Sequence, residues 1–351
     1  MLTIERGHIL RPKISIIVPI YNVQDYLDEL MRSLLEQTIG FEQLEVLLID
    51  DGSTDESRGV IKRWVNQFEN VKGIYFDIAS GAAGRPRNAG LAQASGEYIL
   101  FADPDDVLQL TGCEALYEQA TRYSSDVVVG MFETFLSTGV YVHDIYKNEL
   151  AKPKSQFTIE QFPIVLNAPV NLMCKLFKTS FLKEQELVFL EGVAAQDNPF
   201  STEAFLAAKS ITYTPTVIYK YRIRESHSNL SITQQRTLKY FKDFSTVRQE
   251  VVKIYKKYNQ LSYLQTRYYA DLNWLINQLF LGPVYTHAEI AAILKEVEWF
   301  VHLSEQANTA ALTEEKVLLL QAMVGRNIPA VLNILHVQQQ LMKERFKKSF
   351  H

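Results

Sequence analysis

Between Ile14 and Phe101, four short apolar runs, I-S-I-I-V-P, L-E-V-L-L-I-D, V-K-G-I-Y-F and Y-I-L-F-A, alternate with segments of helical periodicity. The runs are continuously apolar rather than alternating. A strand that is apolar on both sides must be covered on both sides, and the economical solution is a mainly parallel sheet with helices on each face. The intervening segments supply those helices: V-Q-D-Y-L-D-E-L-M-R-S-L-L-E, a stretch from about Asp55, and a short helix around Pro86. Ligands of such sheets bind beyond the carboxyl ends of the strands. Three of these ends carry polar groups: Pro19-Ile20-Tyr21-Asn22, Asp50-Asp51-Gly52-Ser53 and Asp103-Pro104-Asp105-Asp106. The pattern predicts that they meet on one rim.

Farther along, the sequence predicts a helix over Gly112 to Ser124, a strand from Asp126 to Phe132 and another from Tyr213 to Ile223. After Ser231 long helical patterns rich in Lys, Tyr, Leu and Gln take over, broken by Gly282-Pro283. Two domains are expected, 1–231 and 232–351. A net charge of −4 over 351 residues speaks against a general nucleic-acid binder. Two cysteines in apolar contexts make neither a disulfide framework nor a zinc site. The N-terminus lacks a signal-peptide pattern and no window suits a spanning helix, so a cytoplasmic location is expected.

The polar motifs admit bland and functional readings. In D-D-G-S-T-D-E-S a carboxylate can cap the next helix or face a ligand N–H. The loop S-G-A-A-G-R-P-R-N-A-G matches neither phosphate-binding glycine fingerprint. Its small residues still allow close backbone approach, and Pro86 suits a first helical turn, with Arg85 and Arg87 beside it. Asp103 and Asp105, joined by a proline of fixed φ, can present oxygens together to a hard divalent cation, Mn²⁺ or Mg²⁺, that also takes phosphate oxygens. Asp106 reads as a cap for the following turn. Lys175 and Lys178 in N-L-M-C-K-L-F-K read as the polar face of an apolar helix.

In this order and spacing, V-P-x-Y-N, D-D-G-S-T-D, R-N-x-G and G-E-Y-I-L-F-x-D-x-D-D resemble the family 2 glycosyltransferases of the GT-A fold, over about residues 14 to 110. The resemblance implies a Rossmann-like, mainly parallel sheet followed by a helical C-terminal region. It places Pro19 and Tyr21 along the nucleotide pocket, Asp51 on the base, Arg87 near the nucleotide, Asp103 on ribose and metal, and Asp105 on metal. It makes Asp197, in E-G-V-A-A-Q-D-N-P-F, the catalytic base, with Glu191 as runner-up and helix capping as the plainer role for Asp197. It puts Lys175 near the acceptor cleft. It also puts Arg222, Arg224, His227 and Ser228 on a loop that closes over the diphosphate.

The wider form G-x-x-G-R-P-R-N-A-G is similar to transferases that decorate bacterial wall teichoic acids. The expected activity is metal-dependent, inverting transfer from a UDP-sugar to a hydroxyl of a polyanionic cell-surface polymer or a lipid-linked glycan. Two alternatives are extension of a capsule or exopolysaccharide repeat, and a non-catalytic scaffold for a partner transferase. For the helical tail, acceptor binding, peripheral association with the inner face of the plasma membrane and homo-oligomerisation all stay open.

Overall fold

A computed structural model describes residues 11–136, 139–142, 147–148, 150–167, 171–223, 236–303 and 312–348. It divides into two compact units: Met1–Gly192 with Gln196–Glu225, and Val193–Ala195 with Ser226–His351.

The first unit is built on a ten-stranded sheet. Its first half follows the predicted rhythm: β1 (Ile14–Ile20), α1 (Leu27–Leu35), β2 (Leu44–Asp51), α2 (Ser57–Gln67), β3 (Val71–Phe76), α3 (Gly84–Gln93) and β4 (Tyr98–Phe101). Then come β5 (Val107–Leu108), α4 (Gly112–Tyr123), β6 (Val127–Leu136), β7 (Gly139–Val142), β8 (Lys154–Phe157), β9 (Lys175–Lys178), α5 (Thr179–Glu184), α6 (Asp197–Ala207) and β10 (Ile211–Arg222). The order across the sheet is β3-β2-β1-β4-β9-β6-β10-β5, with β7 on β6 and β8 on β10. Strands β1 to β4, β6 and β10 run the same way, and β9 lies antiparallel between β4 and β6.

Every residue of β1, β2 and β4 is buried, as their unbroken apolar runs required. Successive strands add outward on one side of β1 as far as β3, and β4 then returns to its other side, so the order reverses at β1. Such a reversal opens a crevice at the carboxyl ends of the strands. Helix α3 lies close to this floor. A Cβ on Gly90 would come within 2.4 Å of the Ile17 side chain of β1 and 3.2 Å of Ile49 on β2. Only a residue without a side chain lets the helix approach so near.

One expectation fails here. The segment N-L-M-C-K-L-F-K is not a helix; its second half is strand β9. Lys175 is accordingly no surface lysine but fully buried, its Nζ donating to the carbonyl of Asn171 and, at 3.3 Å, to Asn171 Oδ1.

The second unit contains α7 (Leu238–Lys257), α8 (Leu261–Phe280), α9 (His287–His302), α10 (Glu314–Val324) and α11 (Ile328–Lys348). The aromatics interleaved with lysine in α7 face inward: Tyr240, Phe241 and Phe244 join a core with Leu272, Ile276, Ile290 and Phe300. Gly282-Pro283 separates α8 from α9, whose start carries a Thr286–Glu289 capping box. Among the described residues no helix is long and apolar enough to cross a membrane.

Candidate active site

The loops after β1 and β2 are stitched together. Asn22 accepts from Thr54 N–H at 2.8 Å, its own N–H donates to Ser53 Oγ at 3.1 Å, and Val23 N–H donates to Ser57 Oγ at 3.0 Å. At the start of α2 the Asp55 carboxylate, just before the N-cap Glu56, accepts from Ser57 N–H at 2.9 Å. Of the two preceding aspartates, Asp50 accepts from Ser53 N–H at 3.1 Å within the turn. Asp50 is buried against Arg58 at 2.6 Å. Asp51, on the rim, accepts from Ser80 N–H (2.9 Å), Ser80 Oγ (2.7 Å) and Arg85 (2.5 Å). Pro19 is buried in β1, whereas Tyr21 just beyond it is 49% exposed, a ring standing at the edge of the crevice.

The D-P-D-D loop is braced from β10. Asp103 N–H donates to the buried Tyr219 hydroxyl at 2.8 Å, Arg222 Nε donates to the Asp105 carbonyl at 2.7 Å, and Arg222 N–H donates to Asp106 Oδ1 at 2.7 Å. Asp106 is therefore no helix cap. It is buried, and its carboxyl is driven well above the ordinary range by loss of water and by repulsion from Asp105 and Asp103. Arg222 is likewise no free loop residue. It ends β10, and its guanidinium also reaches Glu29 at 2.6 Å and lies 4.5 Å from the Phe135 ring. Arg224, His227 and Ser228 lie outside the described residues.

Arg87 and Asp103, which the sequence reading placed separately near the nucleotide, are joined at 2.7 Å with the arginine only 6% exposed. Asp197 opens α6, half-buried. The cap of that helix is its neighbour: Gln196 Oε1 accepts from Asp197 N–H at 3.1 Å, so the carboxylate is not the capping group. Burial raises the Asp197 carboxyl above its usual value. Arg87 and Lys175 pull it down and Asp103 pushes it up, which places all three within electrostatic reach. Buried Lys175 thus bears on Asp197 rather than offering an open acceptor contact.

Sequence reasoning missed Asn88 and Tyr219. Asn88 grips the backbone on both sides of Phe189 and touches Glu191 at 2.9 Å, so Glu191 is tied to α3. The R-N pair was visible, but nothing in the sequence paired it with a strap about 100 residues away.

The family model described as Glycosyl transferase family 2 matches residues 15–177, the strands and loops that build most of this rim. Poly(ribitol-phosphate) beta-glucosyltransferase of Bacillus spizizenii is 35% identical over 228 residues, 63% of this chain and 34% of that protein. The match therefore spans about a third of that relative's length. Glycosyltransferase GlyG of Streptococcus pneumoniae is 30% identical over 223 residues, 60% of this chain and 71% of that protein. Among solved structures, residues 1–349 of Staphylococcus aureus TarS, crystallised with UDP-GlcNAc, superpose with a TM-score of 0.67 at 22% identity, covering 93% of this chain and 92% of that one. The architecture is the GT-A one that the motifs implied. Taken with the family model and with a relative matched over most of its length, it places the reversal of strand order and the rim above it in a known lineage: this chain belongs to glycosyl transferase family 2.

Proposed function

We propose that the protein is an inverting, metal-dependent glycosyltransferase that moves a sugar from a UDP-sugar to a hydroxyl of a bacterial surface polymer of the wall teichoic acid type. The observation that carries this reading is the grouping of Arg87, Asp103 and Asp197: a buried cation, a D-x-D carboxylate and a carboxylate of raised pKa within electrostatic reach of one another. A nucleotide needs the first two and a deprotonation needs the third. The names of the relatives, a poly(ribitol-phosphate) glucosyltransferase and a UDP-GlcNAc complex of TarS, support the polymer and the donor.

In this account the uracil lies by Pro19 and Tyr21, and its imide N–H competes for Asp51, which Arg85 and Ser80 now hold. Arg87 faces the diphosphate. Asp197 takes the proton from the acceptor hydroxyl as its oxygen attacks the anomeric carbon from the face opposite UDP. The anomeric C–O bond to UDP breaks and its electron pair leaves with the diphosphate. Substitution from the opposite face inverts the anomeric centre.

The donor set fits a hard cation. Asp103 and Asp105 bring two carboxylates to one loop, and both repel the buried Asp106 carboxyl beside them. Among the described residues no group of three or more His, Cys, Asp or Glu could hold an ion by itself. Asp103 and Asp105 would hold such an ion and leave part of its shell to other oxygen donors, the kind Mn²⁺ and Mg²⁺ accept from phosphates and water. When bound there, the cation would neutralise charge gathering on the departing diphosphate. Titration calorimetry with UDP tests this part: affinity should fall by more than tenfold, on the order of 1.4 kcal/mol, with a chelator or with Asp105→Ala. Equal affinity in all three conditions refutes the metal assignment.

A further inference from the structure

The dipeptide Arg87-Asn88 on α3 points two ways. Arg87 takes Asp103. Asn88 closes a clasp on the strap that precedes α6: its Nδ2 donates to the Phe189 carbonyl at 3.0 Å and to Glu191 Oε1 at 2.9 Å, while its Oδ1 accepts from Phe189 N–H at 2.8 Å. The Phe189 ring so held stacks on Phe200, centroids 4.0 Å apart and planes 5° from parallel. It also meets Phe101 in a T-shaped contact, centroids 5.2 Å apart, and the Arg87 guanidinium at 5.7 Å. Phe200 stands one turn beyond Asp197 on the same helix. The ring that Asn88 fixes is thus the ring against which the Asp197 helix rests, and the arginine of the donor side lies over it.

We propose that Asn88 is a positioning residue of the transfer reaction: through Phe189 and Phe200 it sets where Asp197 stands relative to the Arg87–Asp103 pair. The proposal rests on Asp197 being the base. The clasp needs one donor and one acceptor on a short planar group, which an amide supplies. An ionised carboxylate supplies only acceptors, and it would face both the Phe189 carbonyl and the Glu191 carboxylate. Both rings are nearly fully buried, so a shift at Phe189 is transmitted rather than absorbed.

The test compares Asn88→Asp, Asn88→Ala and wild type, measuring kcat, donor KM and UDP affinity from pH 5 to 9. Misplacing a base by about 1 Å costs on the order of a hundredfold. Both variants should therefore lose on the order of tenfold to a hundredfold in kcat, while UDP affinity, which reports a folded donor side, stays within about threefold. Relative to wild type, Asn88→Asp should recover as pH falls, because a protonated carboxyl again offers an O–H to the Phe189 carbonyl. Asn88→Ala should not. Wild-type kcat in both variants, equal loss in both at every pH, or loss of UDP affinity in step with kcat each overturns the proposal. Asp197→Asn in the same assay separates the underlying reading: if that variant keeps its kcat, the base assignment falls whatever Asn88 does.

Discussion

At Gly84, the first residue of α3, the donor side passes close to the strap before Asp197. A Cβ added there would stand 2.0 Å from the Leu190 carbonyl oxygen, 2.9 Å from its carbon and 3.2 Å from Glu191 Cα. Ordinary contact begins at 3.4 Å, and all three obstacles are backbone, so no side chain can swing aside. Gly84→Ala must push the strap or the helix start by about 1 Å. Overpacking of this kind costs about 1–3 kcal/mol, offset by less than about 1 kcal/mol from the better helix propensity of alanine. The net loss of about 1–2 kcal/mol lowers Tm by several degrees, at roughly 2–4 °C per kcal/mol for a unit of this size. Catalysis should suffer far more, on the order of a hundredfold in kcat, because the strap leads to Asp197. Differential scanning calorimetry and steady-state kinetics measure both. Gly59→Ala is the control: its Cβ would meet only the flexible end of Glu56, and it should be neutral or stabilising. If Gly84→Ala matches wild type in both Tm and kcat, the contact between α3 and the strap is soft, and the account of how Asp197 is placed is wrong.

Further outcomes follow from the electrostatics and the brace. Because burial raises the Asp197 carboxyl, kcat should rise with pH through a value above that of an ordinary aspartate, and Lys175→Met, which removes a cation that lowers it, should move this limb to higher pH. An unmoved limb would separate Lys175 from Asp197. The same raised value means that the folded state favours protonated Asp197. Its contribution to stability is complete below the unfolded pKa and is lost as pH rises through the folded one. Thermal scans at pH 8 should therefore show Asp197→Asn at least as stable as wild type; a clear drop in Tm would contradict the sign. Tyr219→Phe keeps the buried ring but deprives Asp103 N–H of its acceptor, at about 1 kcal/mol, a Tm loss of a few degrees. Unchanged Tm would mean that water replaces the hydroxyl.

The half of the fold from β1 to β4 was legible because burial on both faces leaves a local signature, an unbroken apolar run. Strand β9 left none. Its Lys175 is buried with Asn171, four residues earlier, accepting from its ammonium, and a sequence cannot display that partner. The two-residue β5 and the short β7 and β8 carry no period to read. In the site, Asp103, Arg87 and Asp197 were accessible through motif order. Asp106 misled because burial, not residue type, separates it from Asp103 and Asp105. Arg222 misled because it still belongs to β10, where its side chain and backbone N–H are bonded to Asp105 and Asp106. Asn88 was legible only as half of a clasp whose other half lies at Phe189.

The central claim is that one carboxylate, Asp197, drives inverting transfer from a UDP-sugar to a phosphate-linked polyol. Incubation of the protein with α-linked UDP-sugars, Mn²⁺ and purified poly(ribitol phosphate) or poly(glycerol phosphate), with the product linkage read by NMR, tests it most directly. The account predicts a β-linked sugar on the polymer, with its rate of formation reduced by on the order of a hundredfold or more in Asp197→Asn. An α-linked product, undiminished transfer by Asp197→Asn, or no transfer from any UDP-sugar to either polymer would contradict it.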